Sequence, residues 1–361
     1  MARIHNFYAG PAVLPLGALE RAQREMLDWE GSGTSVMETS HRSKEYDALH
    51  AEAIQLVRDL LAVPDNYHIL FLQGGASLQF CMVPMNLLAA EQTADYLHTG
   101  TWAKKAIAEA KHFGQVHIAY DGEADGLTRV PQQADLQLTP GARYVHFTSN
   151  NTIKGTQYHT FPDAGDVPLV CDMSSDFMWR PFDVSPFGII YAGAQKNVGP
   201  SGVTVVLIRD DIVAQCRDDI PTLLKYKTHV EKNSLFNTPP CFNVYMLRNV
   251  LQIFQEMGGL QKIEEINRRK AGLIYETIDR NPDFFRAPVE KESRSMMNVV
   301  FRLPSEELEA QFVAQGKQRG MVGLKGHRSV GGIRISTYNS CPEASVAAVV
   351  DFMKEFAKAH G

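Results

Sequence analysis

Residues 168–202 read PLVCDMSSDFMWRPFDVSPFGIIYAGAQKNVGPSG. Two short apolar runs in this stretch, Pro168–Asp172 and Gly188–Ala192, read as buried strands. The first ends on Asp172. The second leads to Lys196, which is followed by Asn197, Gly199, Pro200 and Gly202. The same texture extends outward from about residue 50 to about residue 215. His68–Gln73 (HILFLQ), Ala94–His98, Tyr144–Phe147 and Val203–Ile208 read as further strands, and Trp102–His112 as an amphipathic helix rich in Ala and Lys. Strands separated by helices or long connections predict an α/β fold with a mainly parallel sheet and crossovers on its faces.

Beyond about residue 240 the texture changes. Phe242–Glu256 and Gly259–Asp279 read as long helices joined at Gly258-Gly259. A strand (Met297–Leu303), a helix (Glu306–Gly316), a strand (Gly332–Thr337) and a last helix follow. That helix has Pro342 near its start and Val346, Val349, Val350 and Met353 on one stripe. We therefore expect a large domain over residues 16–258 and a smaller α/β domain from residues 1–15 and 259–361.

With 361 residues, 44% apolar and 21% charged, the chain has room for a substantial core. A formal net charge of -5 argues against broad nucleic-acid binding. Its five cysteines (Cys81, Cys171, Cys216, Cys241, Cys341) are scattered without a C-x-x-C pair, which fits neither a disulfide framework nor a zinc site. No apolar run approaches the ~18 residues of a membrane span. Asn6, Pro11 and Pro15 interrupt any signal-peptide core near the start. The expectation is a cytoplasmic protein with no membrane or nucleic-acid partner and no metal.

Lysine at a buried strand end is costly unless paired or deprotonated, because desolvation disfavours the ammonium. A neutral Lys196 could form a Schiff base with an aldehyde, although the spacing fits a lysine snorkelling into solvent equally well. Asp172 at another strand end calls for a cationic partner, and a protonated pyridine nitrogen is one. A plain capping Asp is the bland alternative, and it is the two residues together that favour the chemistry. Gln73–Gln79 (QGGASLQ) is a glycine turn leading into a helix whose N-terminus would attract a phosphate, or simply a tight turn. Asn237-Thr238-Pro239-Pro240 reads as a rigid loop able to offer donors to an anion. Two basic clusters, His41-Arg42 and Lys325–Arg334 (KGHRSVGGIR), suit carboxylates or phosphates. Arg334 lies inside a strand-like run and should face something anionic.

Together these segments resemble the phosphoserine aminotransferase family, among the class-V pyridoxal-phosphate-dependent aminotransferases. The resemblance runs essentially end to end, through NFYAGPAVLP, GTSVMETSHRSKEY, LFLQGGASLQF, YAGAQKNVGPSG, NTPPCF and LKGHRSVGGIRISTYN. It implies the fold type I of pyridoxal-phosphate enzymes. It also implies reversible amino transfer between L-glutamate and 3-phosphohydroxypyruvate, giving 2-oxoglutarate and O-phospho-L-serine in serine biosynthesis. A phosphorylated hydroxythreonine of vitamin B6 synthesis is an implied second substrate.

The resemblance further implies roles. Lys196 would bond to pyridoxal 5'-phosphate and carry the transferred proton, Asp172 would pair with the ring nitrogen, Trp102 would stack on the ring, and Thr152 would touch its polar edge. Ala76, Ser77 and Gln195 would hold the phosphate, with Asn237 and Thr238 reaching in from the partner of a homodimer. Arg334 would bind the substrate α-carboxylate, and His41, Arg42, His327 and Arg328 the distal phosphate or γ-carboxylate. The chain departs from some members at Ser77, where they carry arginine, so one substrate-phosphate contact is expected to be missing or supplied elsewhere. Others carry serine in place of Ala9. A desulfurase on the same scaffold would instead need a mobile nucleophilic cysteine, and a simple phosphate-binding module would use Lys196 only as a charge.

Overall fold

Seven strands form the central sheet: β1 (Tyr67–Leu72), β2 (Thr93–His98), β3 (Gln115–Asp121), β4 (Val145–Thr148), β5 (Leu169–Asp172), β6 (Phe187–Gly193) and β7 (Thr204–Arg209). The structure, a computed structural model, describes residues 3–361, so residues 1–2 of the expected 1–15 segment lie outside it. The strand order is β1-β7-β6-β5-β4-β2-β3. All neighbouring pairs run parallel except those of β7, which is antiparallel to both β1 and β6. β4, β5 and β6 are buried along their whole length, as strands covered by helices on both faces must be.

Each strand expected from the sequence is present within a residue or two. β3 was not anticipated. It lies at the sheet edge, its first residues face solvent, and its polar Gln115 and His117 dilute the apolar pattern. Four helices were also unassigned: α1 (Leu16–Glu25), α2 (Lys44–Leu61) and the short Asp210–Gln215 and Tyr226–Glu231. Helix α2 is well punctuated. The Ser43 hydroxyl accepts from Tyr46 N–H at its start, and Ala62 in the left-handed region ends it. Helices α3 (Gly75–Leu87) and α4 (Thr101–Ala110) follow β1 and β2, while α5 (Cys241–Glu256) packs on α1 and α2.

Helix α6 (Gly259–Asp279) joins two cores. Its Leu260 and Ile263 belong to the core under the sheet, and its Ala271, Ile274 and Ile278 to a second core. The second core also contains β8 (Asn298–Phe301), α7 (Glu306–Gln318), β9 (Ile333–Ser336) and α8 (Glu343–His360). β8 and β9 pair antiparallel. Near the N-terminus, His5–Asn6 pairs in parallel with Met321–Val322, and Phe7 enters this second core.

One feature of the sheet decides where chemistry can occur. Thr148 is in register with Asp172, and Asp172 with Tyr191. The carboxyl ends of β4 and β5 therefore finish level, with β6 running two residues further, and the segments after them emerge side by side. Such an edge is where open α/β sheets hold ligands.

Candidate active site

Lys196 sits three residues past the end of β6, in a turn rather than at the strand end that the sequence suggested. The turn is held from both sides. Ala12 N–H donates to Gln195 O at 2.9 Å. Asn197 Nδ2 donates to Phe177 O at 2.7 Å, and Asn197 Oδ1 accepts from Asn339 N–H at 2.9 Å. Gly10, at φ +143°, lies against the lysine stem, where a Cβ would stand 3.3 Å from Lys196 Cγ. The amine lies over the Trp102 ring, 5.2 Å from its centroid. The side chain is partly exposed, opening toward the recess, while the rest of it is enclosed by protein.

That enclosure has an electrostatic consequence. Burial pushes the Lys196 amine below its ordinary value; the Asp172 charge opposes the shift and Arg334 adds to it. Asp172 is pushed the other way, its carboxyl raised by burial against the pull of Lys196. Each group lies in the other's field, so amine and acid are neighbours at this edge of the sheet. The carboxylate is anchored by Ser174, whose N–H donates to Asp172 Oδ1 at 2.9 Å. Ser174 Oγ accepts from Gly193 N–H at 3.1 Å, which ties the end of β5 to the end of β6.

Trp102 and Thr152 are fixed as a unit by a 3.1 Å bond from Trp102 Nε1 to Thr152 Oγ1. Arg334 Nη1 donates to Thr152 O at 3.0 Å, while its buried Nε has no partner within the chain. Thr148 Oγ1, level with Asp172, is also buried and unpartnered. Helix α3 starts after Gly74 and Gly75, both at positive φ, without a side-chain cap. Its Ala76 N lies 3.8 Å from the position of a Cβ built on Gly193, so its free N–H groups face the end of β6.

Family models place residues 4–349 in Aminotransferase class-V. A phosphoserine aminotransferase from Niallia circulans is 53% identical over 359 residues, covering 99% of each chain. The solved phosphoserine aminotransferase of Bacillus circulans subsp. alkalophilus superposes with a TM-score of 0.98 at 53% identity, covering 99% of each chain. A solved PLP-bound phosphoserine aminotransferase from Trichomonas vaginalis gives 0.93 at 41% identity, covering 98% of this chain and all of that one. The chain belongs to the class-V aminotransferases.

The recess fits the pyridoxal phosphate of such enzymes in kind. It offers a sheltered amine, a neighbouring acid, an aromatic face, unpartnered donors and a helix start suited to a phosphate. Among the described residues no cluster of metal-ligating side chains occurs.

Not every anticipated residue of this class-V aminotransferase converges there. His327 feels the charges of Arg334, Arg328 and Lys105, which add to burial in lowering its imidazole. Arg328 is exposed. His41 and Arg42 make no side-chain hydrogen bond or ion pair to these residues, and His41 Nε2 is buried without a partner. Asn237 and Thr238 stand beside Gln73, whose Nε2 donates to Thr238 O at 3.0 Å. Neither bonds to Ala76, Ser77 or Gln195 within this chain.

Sequence reasoning passed over Asp176, four residues beyond Asp172. It is 3% exposed, accepts from Gln157 Nε2 at 3.0 Å and contacts Ser149 Oγ. Ser149 Oγ also reaches Asp172 O at 3.1 Å, and it has one proton for two acceptors. A protonated Asp176 resolves the conflict by donating to Ser149. Burial pushes this carboxyl from 3.8 up to about 7, although Ser149 and Gln157 pull it down. The only sequence signal was an acid near a strand end.

A stability prediction follows from that acid. Well below pH 4, Asp176 is protonated in both folded and unfolded chains. Between about 4 and about 7 the unfolded chain releases the proton while the folded one keeps it, so folding weakens as pH rises. Asp176→Asn removes this penalty. Its stability gain over wild type should grow across that window to about 4 kcal/mol and stay level above it. Thermal melts at pH 4, 6 and 8 check this; an equal difference at all three refutes it.

Proposed function

We propose that this chain transfers an amino group reversibly between L-glutamate and 3-phosphohydroxypyruvate, giving 2-oxoglutarate and O-phospho-L-serine, with pyridoxal 5'-phosphate held on Lys196. The observation that carries the reading is the position of the Lys196 amine over the Trp102 ring, with the buried Asp172 carboxyl close enough for each group to feel the other's charge. When bound, the cofactor supplies an aldehyde that accepts the amino group and a ring that withdraws charge from the substrate α-carbon.

The chain's own residues do the rest. Burial favours the neutral form of the Lys196 amine, which is the nucleophilic one, and the same amine moves a proton to or from the α-carbon. The Asp172 carboxylate keeps the ring nitrogen protonated. Trp102 covers one face of the ring and Thr152 meets its polar edge. Ala76, Ser77 and Gln195 hold the phosphate. Arg334, with an Nε free to donate, takes the α-carboxylate. His41, Arg42, His327 and Arg328 take the distal anion. Glutamate and phosphoserine both carry one, so the same residues serve both in a two-half-reaction cycle. Phosphohydroxythreonine, with the same two anions on a chain one carbon longer, is the second substrate we propose.

Asn237 and Thr238 complete the phosphate site of a second copy, making the enzyme a homodimer with shared sites. Their partial exposure and that of the neighbouring Phe236 support this. Mixing equal amounts of Lys196→Ala and Thr238→Ala subunits should give one intact site in each hybrid dimer, about a quarter of all sites in the mixture; no restoration counts against sharing. All five cysteines are free, supporting a reducing, cytoplasmic setting. Their burial also opposes a desulfurase. Burial raises every one of them, Cys216 to about 12 and Cys341 to about 11, so no poised thiolate is available.

Borohydride reduction followed by peptide mapping tests the central claim, which requires a pyridoxyl label on Lys196 and none elsewhere. Arg42→Ala and Arg328→Ala should each weaken phosphoserine binding about tenfold to a hundredfold, the loss of a charge-assisted hydrogen bond, with cofactor affinity unchanged. Titration of phosphoserine against the bound chromophore measures both. Unaltered substrate affinity would mean that the distal anion binds elsewhere.

A further inference from the structure

The segment Lys325–Gly332 folds back on itself. Gly326 N–H donates to Gly332 O at 2.8 Å, and Gly331 N–H donates to His327 O at 2.9 Å. The two limbs are so close that a Cβ on Gly326 would stand 1.9 Å from Gly331 O. His327 and Arg328 lie at the tip. Three glycines and a concentration of positive charge give this loop little reason to keep one shape unaided.

The shape is imposed from behind. Glu309, in α7, is 7% exposed and holds both the loop and a second clamp residue. Its Oε2 accepts from Gly332 N–H at 3.0 Å, and its Oε1 accepts from Arg302 Nε at 2.5 Å and from Leu303 N–H at 3.3 Å. Arg302 in turn donates from Nη1 to Val330 O at 3.0 Å. Its stem covers the loop backbone, since a Cβ on Gly332 would meet Arg302 Cδ at 2.7 Å. One buried carboxylate and one guanidinium therefore grip both residues flanking Gly331, and neither bonds to Lys196, Asp172 or Arg334.

We propose that Glu309 and Arg302 are positioning residues that hold His327 and Arg328 in the register needed to receive the distal anion of the substrate. This rests on the assignment of His327 and Arg328 made above. Glu309→Gln replaces one acceptor oxygen with a donor, so it cannot serve Arg302 Nε and Gly332 N–H together. Arg302→Lys keeps the charge but loses the fork that reaches both Glu309 and Val330. The second variant guards against a folding defect in the first.

Each variant should raise KM for phosphoserine and for glutamate about tenfold, with kcat reduced less than about threefold. Cofactor absorbance and the slow turnover of alanine, which has no distal anion, should not change. In an Arg328→Ala background, Glu309→Gln should add little, because the group it positions is gone. If Arg328→Ala raises KM while the clamp variants do not, or if the effects add in full, the clamp is overturned and the substrate assignment stands. If alanine turnover falls in parallel with phosphoserine turnover, the clamp is likewise overturned, since its role is then general support of the fold. If Arg328→Ala and His327→Ala leave KM unmoved, the assignment itself fails and the clamp proposal falls with it.

Discussion

Lys196→Ala should remove turnover by about four orders of magnitude or more, because one side chain supplies both the covalent attachment and the proton transfer. The loss should not come from unfolding. The turn is held by the backbone of Gln195 and the side chain of Asn197, and neither depends on the lysine. A competing amine exists nearby: Lys105 Nζ lies 4.8 Å from the same Trp102 centroid. Lys105 is exposed to solvent, however. The variant should therefore show neither the visible band of covalently bound cofactor nor a borohydride-stable label on Lys105. Retention of more than about a hundredth of wild-type kcat would exclude Lys196 as the proton carrier.

Asp172→Asn should lower kcat by about a hundredfold to a thousandfold, the usual scale for removing a preorganised charge from a buried site. The amide matches the carboxylate in shape and can still accept from Ser174 N–H, so the ends of β5 and β6 stay joined. What disappears is the negative charge. Because that charge raises the Lys196 amine, its removal should move the lysine's titration to lower pH. In cofactor-free protein, the pH at which Lys196 begins to react with an amine-specific acylating reagent should fall. A rise in that pH, or a kcat within about threefold of wild type, would show that the two groups do not share a field.

Much of this was readable from the chain. Apolar runs of strand length identified β1, β2, β4, β5, β6 and β7, since a strand buried on both faces needs no alternation to be seen. Edge strand β3 escaped because solvent on one side lets polar residues into it. Lys196 and Asp172 stood out since a charge next to an apolar run is anomalous in any fold. Asp176 did not, although it is equally buried, because nothing local distinguishes it from a solvated loop acid.

What the order of residues determined by itself was the α/β architecture and the placing of an amine and an acid beside buried strands, since strand pattern and the cost of stranding a charge are properties of short stretches. Only the tertiary structure decided that these groups are neighbours. That depends on Thr148, Asp172 and Tyr191 standing in register, and on Arg334 bonding to Thr152 from far along the chain. The burial that raises the Asp176 carboxyl and the grip of Glu309 on Gly332 were likewise settled by folding. Desolvation and hydrogen-bond partners come from residues distant in sequence, and no local pattern records them.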